Sequence, residues 1–292
     1  CLEDRGGRVQ FSWKTELSTS PKMIKQNGSG NSKEHALSIA SPPLRVDDRV
    51  YVCTNGGVVS AVDAGNGKIA WAVQYDSIVT SFISPNYSSS ASFVSKYTAG
   101  NPLLWTNGGL VVLPADAKGA YCYSPADGQQ RWYASSPMGK GLFLTGIDSG
   151  RVAVSSPKML QILDARTGKE LYRNDSLDLS PARPVNTDAG LLLSVSGGIC
   201  RLTMTKTSTG EMRYSSRIMR MMGAESRVGT LAASGGQLVA ANANGVSVYC
   251  GYAKAYSQLA GRLKTLLGRP KWEALYRRGL LSFGADRLAQ AE

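Results

Sequence analysis

Up to about residue 250, the apolar positions of this chain come in short runs broken by turn residues, with no sustained helical spacing. RVYVCTN (49–55), GLVVLPA (109–115), RVAVSS (151–156), LLLSVS (191–196) and QLVAANA (237–243) read as buried strands. Each of the first four is followed by a second run that ends in a glycine and an aromatic. These runs are VVSAVDAGNGKIAW (58–71), AYCYSPADGQQRW (120–132), LQILDARTGKELY (160–172) and ICRLTMTKTSTGEMRY (199–214). With Gly67, Gly128, Gly168 and Gly210 superposed, Trp71, Trp132, Tyr172 and Tyr214 fall at the same offset. CLEDRGGRVQF (1–11) fits as well, with Gly7 and Phe11.

The recurring unit predicts a hairpin: the glycine takes a positive φ in the turn, and the aromatic packs against a neighbouring sheet. Asp63 and Asp164 precede the glycine by four residues, where a short carboxylate braces turn amides. Further apolar stretches upstream leave room for four strands per unit. The glycines recur about 60 residues apart twice and about 40 apart twice, and about 40 is the length of a propeller blade. The longer steps hold insertions at 18–44 and about 78–101, which read as surface loops.

The expected fold is therefore all-β: a β-propeller of four-stranded blades, about four full and two partial, over residues 1–250. The chain begins inside a unit, and 229–250 supplies about three strands without a closing strand. This favours an incomplete propeller over a five-bladed ring closed by residues 1–13 pairing with 246–250. Cys1 stands where Ala61, Cys122 and Ile162 stand in other copies, so a strand residue is favoured over a lipidated N-terminus.

After Tyr252 the period becomes helical. Tyr256, Leu259, Leu263 and Leu266 form a stripe ended by Gly268 and Pro270, a second helix is predicted over about 271–283, and a third begins near Asp286. Residues 251–292 form a separate α-helical segment holding eight Lys and Arg against three acids.

Composition narrows the chemistry. Lys and Arg number 33 against 21 Asp and Glu, but no basic stripe interleaves with aromatics, which argues against nucleic acid. No apolar run reaches a membrane span of about 20 residues. The five cysteines, scattered and without a Cys-x-x-Cys pair, read as small buried hydrophobes. The one histidine, His35, lies in a polar insertion, and no phosphate loop or metal-ligand cluster is visible. No catalytic, cofactor-binding or metal-binding residue is assigned. RYSSRIMRMMGAESR (213–227), between two blades, is the candidate recognition surface, through Arg217, Met219, Arg220, Met221 and Met222. Methionines that merely fill the rim are the alternative.

Ala61-x-Asp63-x-x-x-Gly67-x-x-x-Trp71 resembles the tryptophan-docking repeat of quinoprotein-type (PQQ-like) propellers, and 162–172 resembles it with Tyr in place of Trp. The enzymes of that superfamily hold pyrroloquinoline quinone and calcium with the help of a vicinal disulfide, and this chain has no adjacent cysteines. The resemblance to the outer-membrane assembly lipoprotein type instead implies a non-enzymatic scaffold for protein partners in the bacterial cell envelope or periplasm, with no cofactor. A dehydrogenase-type propeller whose catalytic residues lie outside this chain is the alternative. Residues 275–291 resemble the start of a tetratricopeptide repeat (TPR), with Gly279 and Ala291 at its small-residue positions.

Overall fold

The computed structural model describes residues 2–5, 8–11, 13–17, 41–54, 57–77, 100–135, 142–180, 182–196, 198–220, 229–234, 237–242 and 245–284. The readings at Cys1, Gly7, His35, Met221, Met222, Asp286 and Ala291, and most of both insertions, lie outside the described residues. The chain divides into two compact units, Cys1–Pro181 and Ala182–Glu292.

In the first unit, β1 (Leu2–Arg5) and β2 (Arg8–Phe11) form an antiparallel pair with Arg5 opposite Arg8. Three four-stranded antiparallel sheets follow, each laid down in chain order. The first contains β3 (Leu44–Val46), β4 (Arg49–Cys53), β5 (Val58–Asp63) and β6 (Ile69–Gln74). The second contains β7 (Leu104–Thr106), β8 (Gly109–Val112), β9 (Gly119–Tyr123) and β10 (Gln130–Ser135). The third contains β11 (Phe143–Asp148), β12 (Arg151–Ser156), β13 (Met159–Asp164) and β14 (Glu170–Asn174).

In the second unit, β15 (Val185–Thr187), β16 (Gly190–Val195), β17 (Gly198–Lys206) and β18 (Met212–Arg220) form a fourth such sheet. β19 (Thr230–Ser234), β20 (Gln237–Asn242) and β21 (Gly245–Cys250) form a three-stranded one. Helices α1 (Tyr252–Leu263) and α2 (Arg269–Gly284) come next and pack on each other, burying Ala274. The first helix ends at Leu263, short of the stop expected at Gly268 and Pro270; Pro270 instead falls in the first turn of α2, where its missing N–H costs nothing, so it opens the second helix.

The uninterrupted apolar runs follow from sheets covered on both faces. In β8, Leu110 and Val112 pack with Tyr51, Val59, Trp71 and Tyr75 of the preceding sheet. Their alternates Val111 and Leu113 pack with Leu144, Val152, Val154 and Leu163 of the following sheet. β9 divides likewise, Tyr121 and Tyr123 to one side and Ala120 and Cys122 to the other. The side-chain period of two thus feeds two cores from one strand, and each fully buried Leu or Val contributes about 1.5–3 kcal/mol. Within the second unit, Leu192 and Ile199 meet Leu231 and Ala240 in the same way. Cys53, Cys122 and Cys200 are buried in these layers and Cys250 is half-buried. Burial pushes the Cys122 thiol up to about 11, against the pull of nearby Arg131.

Candidate partner-binding surface

In the first unit, each repeated turn connects the third and fourth strands of its own sheet and receives a tryptophan from the repeat before it. Asp63 Oδ1 accepts from the amides of Gly65 and Asn66, both at 2.9 Å. Asp164 Oδ1 accepts from the amides of Arg166 (3.0 Å) and Thr167 (2.8 Å) and from the Thr167 hydroxyl (2.9 Å). The glycine that closes each turn has a positive φ, +75° at Gly67, +76° at Gly128 and +72° at Gly168. Against that glycine lies a tryptophan of the preceding repeat. A Cβ on Gly128 would sit 2.6 Å from Trp71 Cε3, and one on Gly168 would sit 2.7 Å from Trp132 Cδ2. The indole N–H completes each seam, Trp71 Nε1 donating to Pro125 O and Trp132 Nε1 to Ala165 O, both at 2.9 Å.

A third seam uses Trp13, which lies 2.6 Å from a Cβ built on Gly67 and donates to Ala64 O at 3.0 Å. Counting from Gly7 points to Phe11 instead; the docking residue stands two positions later, past the end of β2. A bulge accompanies the aromatics of the three four-stranded sheets of the first unit. Ala70, Arg131 and Leu171, each just before its aromatic, are the extra residues between Ile69 and Trp71, Gln130 and Trp132, and Glu170 and Tyr172. A bulge of this kind re-aims the next side chain out of its own sheet. Tyr172 is half-buried, and its hydroxyl accepts from Asn174 Nδ2 at 3.1 Å.

One seam also carries a buried carboxylate. Asp116, fully buried, accepts from the Tyr75 hydroxyl at 2.5 Å and the Ser77 hydroxyl at 2.6 Å. Burial, chiefly, holds the Tyr75 phenol far above its ordinary range, with Cys53 and Asp116 adding to the effect. These residues link the end of β6 to the β8–β9 connection, and nothing in the repeat pattern marks them.

The copy around Gly210 departs from the others. Its turn is shorter, with the Gly210 amide donating to Thr207 O rather than to a residue four back, and Thr207 stands in place of the aspartate. A Cβ at Gly210 would meet only Lys206 Cε, at 3.8 Å. β17 and β18 pair without a bulge from Gly198–Arg220 to Lys206–Met212, and Tyr214 lies opposite Met204. The segment that reads from sequence as lying between blades is thus, through Arg220, the fourth strand of its own sheet.

Register sorts the side chains of this long hairpin. Ile199 and Met219 face each other at its base, Ile199 buried and Met219 packed against the core beneath. On the same face, further out, come Arg201 opposite Arg217, Thr203 opposite Ser215, and Thr205 opposite Arg213. Arg213 and Arg217 are exposed and Arg201 is half-exposed. Ile218, on the other face, is 57% exposed. The structure therefore separates the candidates: Met219 belongs partly to the core and Arg217 to the surface. Arg220 is fixed only as the strand partner of Gly198. Arg201, absent from the sequence-based set, joins the surface because pairing brings it across from Arg217. Like charges directly opposite on a sheet repel, and an anionic group laid over them relieves the repulsion.

Of the comparisons with known proteins, the family profile agrees with this architecture. The family profile for outer membrane protein assembly factor BamB matches residues 13–142 and again 116–274. Among solved structures, the chain is similar to a computationally designed protein, Ika8, at 14% identity and a TM-score of 0.48, over 73% of this chain and 58% of that one. BamB from Moraxella catarrhalis aligns at 15% identity and a TM-score of 0.39, over 70% of this chain and 80% of that one. The Pan2 WD40 domain of Neurospora crassa aligns at 12% identity and a TM-score of 0.43, over 72% and 62%. The chain thus spans 58% of the designed protein and 62% of the Pan2 domain. No curated protein matches. With the profile match running from residue 13 to residue 274, the chain belongs to the outer membrane protein assembly factor BamB family, and its sheets are those of a PQQ-like propeller.

Proposed function

We propose that this chain is a non-catalytic scaffold of the bacterial cell envelope, whose β17–β18 hairpin receives an acidic, extended segment of a protein partner. The observation that carries the reading is the placement of Arg201, Arg213 and Arg217 on one face of an unusually long hairpin. Each of the other fourth strands has five or six residues, whereas β18 has nine. Its outer edge offers backbone donors and acceptors to a further strand, and the guanidinium row supplies charge-assisted hydrogen bonds to carboxylates. Family membership supports a partner engaged in outer-membrane protein assembly and a periplasmic or outer-membrane setting. Residues 275–291, which begin in α2, are read as the start of a TPR-like repeat that extends the same scaffold.

A photo-crosslinking residue placed at position 215, between Arg213 and Arg217 on the same face, tests this in the protein's own host. One dominant protein adduct is expected, lost when Arg201 and Arg213 are both changed to Glu, with the melting temperature within a few degrees of wild type because Arg213 is exposed and Arg201 half-exposed. An adduct that persists at full yield in the charge-reversed protein would sink the proposal.

A further inference from the structure

The α1–α2 pair turns its connecting tip and the first turns of α2 outward with large apolar side chains uncovered. Leu267 is 82% exposed, Trp272 73% and Tyr276 69%. Trp272 and Tyr276 are four residues apart, so they lie one above the other on a single face of α2, with Leu267 just before the helix begins. Around them stand exposed cations: Arg262, Lys264, Arg269, Lys271 and Arg277, with Lys254 further along α1. Among the described side chains of this segment the sole acid is Glu273, and Arg269 Nε holds it at 3.3 Å.

An apolar wedge inside a ring of one charge sign is a poor match for a protein interface, whose core excludes lysine and whose rim mixes signs. It matches an anionic bilayer surface at every point. Indole and phenol rings settle at headgroup level, a leucine reaches the acyl boundary, and lysine stems extend to lipid phosphates while covering apolar surface. The connecting tip concentrates Arg262, Lys264, Leu267, Arg269, Lys271 and Trp272 within the span of one turn and its flanks, so a shallow approach engages all of them together.

We infer that the tip of the α1–α2 pair is a membrane-docking element that binds anionic phospholipid headgroups, with Leu267, Trp272 and Tyr276 inserting and Lys264, Arg269 and Lys271 contacting phosphate. The site lies on different elements from the arginine face of β17–β18, so it stands or falls independently of the partner-binding role proposed above.

Co-sedimentation of the full chain with phosphatidylcholine vesicles, with and without roughly 30% phosphatidylglycerol, tests the assignment. Binding is expected only to the anionic vesicles, with a blue shift of indole emission that disappears in Trp272→Ser. Lys264→Gln with Lys271→Gln should weaken partitioning roughly 25-fold, at about fivefold for each cation removed near such a surface. These positions are exposed, so the variants should keep the wild-type circular dichroism spectrum; changing Arg201 and Arg213 to Glu should leave vesicle binding largely intact. Undiminished sedimentation of the Lys264/Lys271 double variant would overturn the inference, since the chain's net charge of +12 would then be acting from elsewhere. Equal binding to neutral vesicles, or none to either, would overturn it too; in the latter case concentration-dependent self-association in light scattering would identify a second copy as the occupant of the face.

Discussion

A methyl group added at Gly128 would lie 2.6 Å from Trp71 Cε3, on a backbone held at φ +76°. Neither problem has an easy escape. The indole is held by its hydrogen bond to Pro125 O, and Arg49 Nη1 donates to the same turn at Pro125 O (2.9 Å) and Ala126 O (3.0 Å), so ring and turn cannot readily separate. The left-handed conformation disfavours any L side chain, even where there is room. Gly128→Ala is therefore expected to destabilise the fold by about 2–4 kcal/mol, the sum of local overpacking and backbone strain. Urea denaturation followed by tryptophan fluorescence measures this. The same change at Gly210, where a Cβ would meet only Lys206 Cε at 3.8 Å, carries the backbone cost without the clash and should cost less.

At the scale of the hairpin, the turn between β13 and β14 is organised by one carboxylate. Burial works to raise the Asp164 pKa, but the Thr167 amide and hydroxyl and the Arg166 amide outweigh it, and the group titrates below its ordinary range. A carboxyl with a depressed native pKa stabilises the fold fully above its unfolded value and loses that contribution as the pH falls through the native one. Asp164→Asn keeps an acceptor for the turn but removes the titration. The variant should show a shallower loss of urea midpoint between about pH 5 and pH 2 than wild type, and identical slopes would show that the turn charge does not couple to folding. Such turns are legible in sequence because their needs are local: a short carboxylate, a glycine four residues on, and apolar runs either side. The bulges at Ala70, Arg131 and Leu171 are not, since an extra residue in one strand shows only against the partner strand's register. The strand identity of β18 was hidden for a related reason. Arg213, Ser215 and Arg217 alternate with Tyr214, Ser216 and Ile218, of which only Tyr214 is half-buried, so no apolar period marks the strand. Arg201 as a companion of Arg217, and Asp116 between Tyr75 and Ser77, are products of pairing and packing over long sequence separations, beyond the reach of any local motif.

Across the first compact unit as a whole, the seams form a series in which each tryptophan docks on the turn of the next repeat: Trp13 at Gly67, Trp71 at Gly128, Trp132 at Gly168. Stability in such an array behaves as a sum of sheet terms and nearest-neighbour terms. Two substitutions at one seam remove the same contact, whereas substitutions at the first and third share no partner. Double-mutant cycles separate these cases. Trp71→Ala opens the space that Gly128→Ala fills, so the pair should be strongly non-additive, the second change costing much less than it does alone. Gly67→Ala and Gly168→Ala should instead add to within about 0.5 kcal/mol in chemical denaturation, because the turns they alter belong to sheets separated by the β7–β10 sheet. A large coupling between Gly67 and Gly168 would mean that strain at one seam spreads through the intervening sheet, whose strands β8 and β9 are buried on both faces and have no soft layer in which to absorb it.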